Sequence, residues 1–223
     1  MGVLSGPEIV RVVALTTRLK QQYQGMDWPP SVIPHPLIEI TPFDPDRAGP
    51  NSYDVTLADK LLVYAIGGKS SLYWDASGKW CSGPVLDTKQ INYTMQKDIP
   101  PDGLVLVPGV LYLGSTVERT MTSGLVPWLD GRSSIGRLGC QIHATAGRGD
   151  DGFGEQVDGG CAWTLEITVT HPLRIYSGER IGQLTFLTLD GKRNPYRGRY
   201  GKQTEPTASR LWQDKSDASA DNT

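Results

Sequence analysis

Between Pro7 and Gln24 the apolar residues Ile9, Val12, Val13, Leu15 and Leu19 fall close to an i, i+3, i+4 spacing, the period of one face of an α-helix. Pro7 suits the first turn of such a helix, where a backbone N–H has no intrahelical acceptor. The chain therefore opens with one amphipathic helix. The segment MDWPPSVIPHP then breaks the pattern with four prolines. Beyond it, the runs SYDVTL, KLLVYAI, SSLYW, GLVLVPGVLYLGST, GCQIHATA, CAWTLEITV, LRIY and IGQLTFLTL are separated by Gly, Pro, Asn and Asp. Short runs with that punctuation predict a mainly β protein, a barrel or sandwich carrying an N-terminal helix. Strands and helices do not alternate along the chain, which excludes a Rossmann or P-loop architecture. In CAWTLEITV, alternation from Ala162 puts Ala162, Thr164 and Glu166 on one face, with Trp163, Leu165 and Ile167 on the other.

Composition narrows the class. The 26 glycines and 16 prolines make about a fifth of the 223 residues, against a usual share near 12%, so turns are frequent. With 38% hydrophobic and 21% charged residues, the chain fits a packed globular domain. Its formal charge of -2 argues against a general basic surface for polymeric nucleic acid. Glu8 and Arg11 interrupt the mildly apolar N-terminus, so no signal peptide is expected. No apolar run approaches the ~18 residues of a membrane span. Cys81, Cys140 and Cys161 are an odd number with no C-x-x-C spacing, which suits reduced thiols in a cytoplasm and excludes a zinc knuckle. The expected organisation is a helix and Pro-rich connection over 1–30, a β domain over 31–193, and a C-terminal arm with a flexible, disordered end over 194–223.

Four segments could carry chemistry. In Asp130-Gly-Arg132-Ser133-Ser134-Ile-Gly-Arg137-Leu-Gly139, two guanidinium groups, two hydroxyls and nearby glycines can face one anion such as a triphosphate; a solvated turn would read the same. HATAGRGDDGF, residues 143–153, offers small residues for close backbone approach and the carboxylates Asp150 and Asp151, although Asp-Gly is also an ordinary turn pair. Glu166 is a carboxylate among apolar and small neighbours, as a proton shuttle requires, or a strand Glu facing water. The segment from Pro195 to Arg210 interleaves Tyr196, Arg199, Tyr200 and Gln203 and could fold over a nucleotide or remain a solvated basic tail.

Taken in order, WLDGRSSIGRLG, HATAGRGDDGF, TLEI, IGQL and the PY-RY-x-x-Q and PTASR segments closely resemble the dCTP deaminase family, within the trimeric dUTPase fold. VLSGPEI and ITPFDPDRAGPNSYDVTL resemble the N-terminus of that family, so the likeness covers most of residues 3–210. The resemblance implies a dUTPase-like distorted β-barrel or jelly roll. It also implies that Arg132, Ser133, Ser134 and Arg137 contact the triphosphate and catalytic water, that Asp150 meets the sugar, and that Glu166 is the general acid and base. Ala146, Thr164, Leu165, Gln183, Tyr196, Arg199 and Gln203 match further nucleotide contacts, with Arg199 standing where many members have lysine. Magnesium would arrive with the triphosphate, held mainly by it, and the enzyme would be a homotrimer with sites between subunits.

Two features depart from the family pattern. Asp150-Asp151-Gly replaces the usual Asp-Pro-Gly, and a GEQVDGG-like stretch precedes Cys161. Gly147 after Thr145-Ala146 is similar to members that also hydrolyse dUTP. None of His35, His143 and His171 is followed by x-Glu, so the zinc route of other nucleobase deaminases is not expected. The implied mechanism ionises water with Glu166, helped by Arg137 and Ser133, and His143 is expected to be a packed strand histidine. The first expectation is conversion of dCTP to dUTP and ammonia. The alternatives are a bifunctional enzyme continuing to dUMP and pyrophosphate, a pure dUTPase, and a non-catalytic nucleotide-binding module.

Overall fold

The computed structural model describes residues 2–25, 36–65, 70–74, 77–143 and 146–215. Much of the Pro-rich connection, the Ala144-Thr145 pair and the last eight residues expected to be disordered lie outside them. The helical period is realised as α1 (Gly6–Gln22), with Pro7 in its first turn. Ile9, Val12 and Val13 are buried in the main core with Ile38, Tyr53, Leu184 and Phe186. Helix and barrel thus share one hydrophobic cluster.

The strands are β1 (Leu37–Thr41), β2 (Tyr53–Thr56), β3 (Lys60–Tyr64), β4 (Ser70–Trp74), β5 (Trp80–Pro84), β6 (Thr94–Asp98), β7 (Leu104–Leu106), β8 (Tyr112–Ser123) and β9 (Leu125–Gly131). A one-turn helix α2 (Ser133–Gly136) follows, then β10 (Cys140–Gln141), β11 (Cys161–Val169), β12 (Leu173–Ile175) and β13 (Arg180–Thr188). Among the described residues, one sheet runs β10-β11-β8-β3-β6 with β1 also paired to β8, and a second runs β2-β13-β9. All of these pairings are antiparallel. The predicted mainly β architecture with an N-terminal helix is what the chain adopts. No described helix is long and apolar enough to cross a membrane.

Four strands carry too weak a pattern to be anticipated. β9 contains Pro127, which pairs in register with Phe186, and proline is unusual inside a sheet. β6 is polar and mostly exposed, and β1 and β5 sit beside Pro-rich or Gly-rich sequence. Two strands and the arm after β13 position the site. β11 lies between β8 and β10, and the arm that follows β13 returns to the first residues of β11, at Ala162 and Thr164.

Candidate functional site

β11 shows the alternation expected of it from Thr164 onward: Leu165 and Ile167 are buried, while Thr164 and Glu166 are half-buried. Before that point the ladder to β8 shifts register between Ala162 and Thr164, and such an irregularity re-aims side chains. Trp163, expected on the face opposite Glu166, therefore lines the same cavity. That cavity has a volume of about 450 Å³, and Glu166, Thr164, Ala146, Asp150, Tyr196 and Gln203 all line it. Six of the residues implied by resemblance are brought together here. Arg148, Tyr64, Tyr200 and Ser209 also line it, joined by a histidine that sequence reasoning assigned to packing.

That histidine is placed by the backbone. The Glu166 amide donates to the Ile142 carbonyl at 2.8 Å, which sets the residue after Ile142 beside the carboxylate. His143 Nδ1 lies 4.0 Å from Glu166 Oε2, with the histidine side chain 8% exposed and the glutamate 36% exposed. Among the described residues, neither ring nitrogen of His143 has a hydrogen-bond partner. Buried polar atoms of native proteins are nearly always paired, so these two ring nitrogens are polar groups open to the cavity. The ring brings two polar nitrogens to the wall of a cavity that also holds a carboxylate.

The floor and lid are aromatic. Phe153 packs against Trp163 and Tyr196 with ring centroids 4.9 and 5.9 Å away, and the Trp163 indole donates to Thr120 Oγ1 at 2.8 Å. The arm continues the sheet in part: the Ala162 amide donates to the Gln203 carbonyl at 3.0 Å, and Gln203 Nε2 donates to the Ala162 carbonyl at 2.8 Å. Further along, the Thr207 amide donates to Thr164 Oγ1 and the Ser209 amide to Tyr64 Oη. The arm is therefore ordered over the cavity through backbone and side-chain bonds. Arg199 faces away from it, donating to the Arg210 carbonyl and pairing with Asp214. Leu165 is fully buried in the core and does not line the cavity.

The arginine and serine cluster lies elsewhere in the chain. Arg132 precedes α2, and Ser133, Ser134 and Arg137 are exposed on or just after it. None of the four lines the Glu166 cavity. Arg132 Nη2 pairs with the buried carboxylate of Asp54 at 3.2 Å, Arg180 with the same oxygen at 3.4 Å, and Gln183 Nε2 donates to Asp54 Oδ1 at 3.0 Å. Gln183 thus belongs to the Arg132 group rather than to the cavity.

Two local features bear on the departures from pattern. A Cβ at Gly147 would lie 2.4 Å from the Leu129 carbonyl oxygen, so close packing against β9 by itself requires glycine there. Asp151, unlike exposed Asp150, is buried and accepts from the Gly124 amide at 2.6 Å. Burial pushes the thiols of Cys140 and Cys161 up to about 11, which makes them poor nucleophiles and poor metal ligands at neutral pH.

The chain matches the family model described as dCTP deaminase-like over residues 33–189. It is 44% identical over 178 residues to a protein of Leptospira biflexa named "dCTP deaminase, dUMP-forming", a match covering 79% of this chain and 89% of that one. Proteins of the same name from Hathewaya histolytica and Cytophaga hutchinsonii are each 41% identical, over 79% of this chain and 90% of theirs. A solved 2'-deoxycytidine 5'-triphosphate deaminase from Agrobacterium tumefaciens superposes with a TM-score of 0.46 at 18% identity, covering 83% of this chain and 47% of that one, so the chain spans about half its length. Through the family match and these identities, the chain is an enzyme, a hydrolytic deaminase, and it belongs to the dCTP deaminase-like family.

Proposed function

We propose that the enzyme deaminates dCTP and carries the product on to dUMP and pyrophosphate. The observation that carries the reading is the half-exposed Glu166 beside an unpartnered His143 in one arm-covered cavity, in a chain 41–44% identical to proteins named as dUMP-forming deaminases. Sequence reasoning put first a reaction ending at dUTP. The names of the relatives favour the longer reaction, which ends at dUMP.

In the first step Glu166 takes a proton from water as the oxygen bonds to C4 of cytosine, giving a tetrahedral adduct. The same carboxyl passes that proton to ring N3, whose double bond to C4 has opened, and then carries the hydroxyl proton to the amine; the C4–N bond breaks, C4=O forms, and dUTP and ammonia leave. In the second step a further water attacks the α-phosphate, the bond to the β-phosphate oxygen breaks, and dUMP and pyrophosphate leave. Asp150, exposed at the cavity wall, is the chain's candidate to orient that water. Gly147 lends this step less support than its sequence position suggested, since packing against Leu129 accounts for it.

The triphosphate-binding half is proposed to come from a second copy, in a homotrimer. Exposed Ser133, Ser134 and Arg137 lie off the Glu166 cavity, and a site shared between subunits would unite the two groups. Arg137 and Ser133 would then steady the water and developing charge from across the interface. Magnesium held by the triphosphate would neutralise phosphate charge. A zinc-independent, cytoplasmic enzyme completes the proposal.

Incubation with dCTP, and separately with dUTP, in the presence of magnesium tests the reading. Ammonia, dUMP and pyrophosphate in equal amounts from dCTP, with dUMP from added dUTP, are expected. Quantitative dUTP with no pyrophosphate would restore the shorter reaction, and absence of ammonia would remove the deaminase reading.

A further inference from the structure

We propose that Asp151, Glu155 and Arg193 form a latch that fastens the base of the C-terminal arm to the inserted loop, positioning Tyr196, Tyr200 and Gln203 over the cavity before any nucleotide is present. Arg193 is the first strongly anchored residue after β13. Its Nε donates to Asp151 Oδ2 at 2.8 Å, and its Nη2 donates to Asp151 Oδ1 at 3.1 Å and to Glu155 Oε1 at 2.6 Å. The Asp151 and Glu155 side chains are 5% and 6% exposed. Carboxylates so far from water must be paired, and a planar guanidinium that bridges both meets that demand better than a flexible ammonium could.

The latch sits where this chain departs from its family's sequence pattern. Asp151 replaces the usual proline, and Glu155 lies at the start of the extra stretch before Cys161, just after Gly154. That stretch is held from behind: Lys20 of α1 pairs with Asp158 at 2.7 Å, and the Arg119 guanidinium of β8 donates to the carbonyls of Asp158 and Gly160. In front, the arm rests against it. The Tyr196 amide donates to the Asp151 carbonyl at 2.7 Å, and Gln156 Nε2 donates to the Tyr196 carbonyl at 3.3 Å. Gly152 has φ +83, and a Cβ there would lie 2.6 Å from Pro195 Cβ, so only glycine lets the arm approach this closely. The insertion is thus a base fixed to helix and barrel, and the two carboxylates tie the arm to it. An arm ordered beforehand loses less freedom when ligand binds, which raises affinity without altering the chemical step.

The inference rests on the reading that the cavity takes dCTP, but its test does not depend on that alone. Full-length wild type, Glu155→Gln, Arg193→Met and Arg193→Lys would be treated briefly with trypsin, which can cut the arm at Arg197, Arg199 and Lys202. Their melting temperatures and dCTP kinetics would be measured alongside. Arm cleavage at least tenfold faster in Glu155→Gln and Arg193→Met is expected, with KM raised about tenfold and kcat within about twofold, as expected when a pre-ordering contact is lost. Arg193→Lys should fall between. If cleavage and KM stay at wild-type values while the melting temperature drops, the three residues merely stabilise the loop and the latch is overturned. A wild type that never turns over dCTP would sink the functional reading, and the proteolysis comparison would still decide whether the arm is latched.

Discussion

The Glu166 cavity and the Arg132–Arg137 turn hold the same kinds of polar group, yet the single chain completes one and leaves the other open. Around Glu166 the arm, the loop from Ala146 to Phe153 and β11 close on each other, and the arm exchanges hydrogen bonds with Ala162, Thr164 and Tyr64 of the strands. At the turn, Ser133, Ser134 and Arg137 face solvent, and Arg132 is drawn toward Asp54. The difference separates two jobs. Proton transfer needs a carboxylate fixed in a partly desolvated place, which one chain can build by folding. Holding a triphosphate needs several donors facing one anion, and donors left exposed on one chain can be completed by another.

The largest expected effect tests the closed half. Glu166→Gln preserves shape and removes the proton acceptor, so ammonia release should fall by about 10² to 10⁴, while dCTP binding measured by calorimetry is retained. Ammonia released at the wild-type rate would remove Glu166 from the mechanism.

The open half is next. Removing one charge-stabilising donor costs about 10² to 10³ in rate, and Arg137→Ala should lose that much. The sharper measurement mixes the two inactive variants. If Glu166 and Arg137 act across an interface, a randomly reassembled one-to-one mixture has about a quarter of its interfaces with both groups intact, and that fraction of wild-type activity returns. If both act within one chain, no mixture recovers anything.

How far sequence alone reached follows the same division. α1 was legible because Ile9, Val12 and Val13 meet the core at helical spacing, and β11 because Leu165 and Ile167 alternate with Thr164 and Glu166. β9 was not, since Pro127 and the Asp130-Gly131 pair imitate a turn. Within the site, Ala146, Asp150, Thr164, Glu166, Tyr196 and Gln203 were assigned through family likeness and do share one cavity. Periodicity could not say that Arg132 and Gln183 would gather around Asp54 instead, because that grouping depends on pairing between β13, β2 and β9. The register shift at Trp163 and the partners of Arg193 are equally long-range. His143 had one usable signal, a histidine beside a ligand-like loop, but its lack of a partner is visible only in three dimensions.

That lack of a partner supports a smaller effect with an unusual sign. A buried polar group left unpaired costs about 1–3 kcal/mol, so His143→Phe should leave the melting temperature unchanged or raise it by a few degrees. Because the imidazole lies 4.0 Å from the Glu166 carboxylate on the cavity wall, kcat for deamination should drop about tenfold even so. A packed structural histidine would give the reverse, a lower melting temperature with activity intact, and differential scanning calorimetry beside an ammonia assay separates the two.

The smallest effect uses the two buried thiols as reporters, one in each region. Cys161 lies under the arm, its Sγ 3.9 Å from the Tyr200 carbonyl oxygen, and Cys140 lies in β10 just after the arginine turn. Burial raises both to about 11 from an ordinary value of 9.0. The folded values are the higher ones, so stability gained by keeping the thiols protonated is fully present below about pH 9 and is lost as pH rises through about 11. At pH 8 only about one thiol in a thousand is ionised at such a value, and the thiolate is the reactive form. Iodoacetamide at pH 8 should therefore label Cys81 first and the other two slowly. Cutting the chain after Leu189 removes Tyr200 and the rest of the arm, which uncovers Cys161 while Cys140 keeps its surroundings. Labelling of Cys161 should then speed up several-fold, with Cys140 unchanged, as read by peptide mass spectrometry. Equal acceleration at both sites would mean that the arm supports the whole barrel, and the separation of a closed half from an open one would fail.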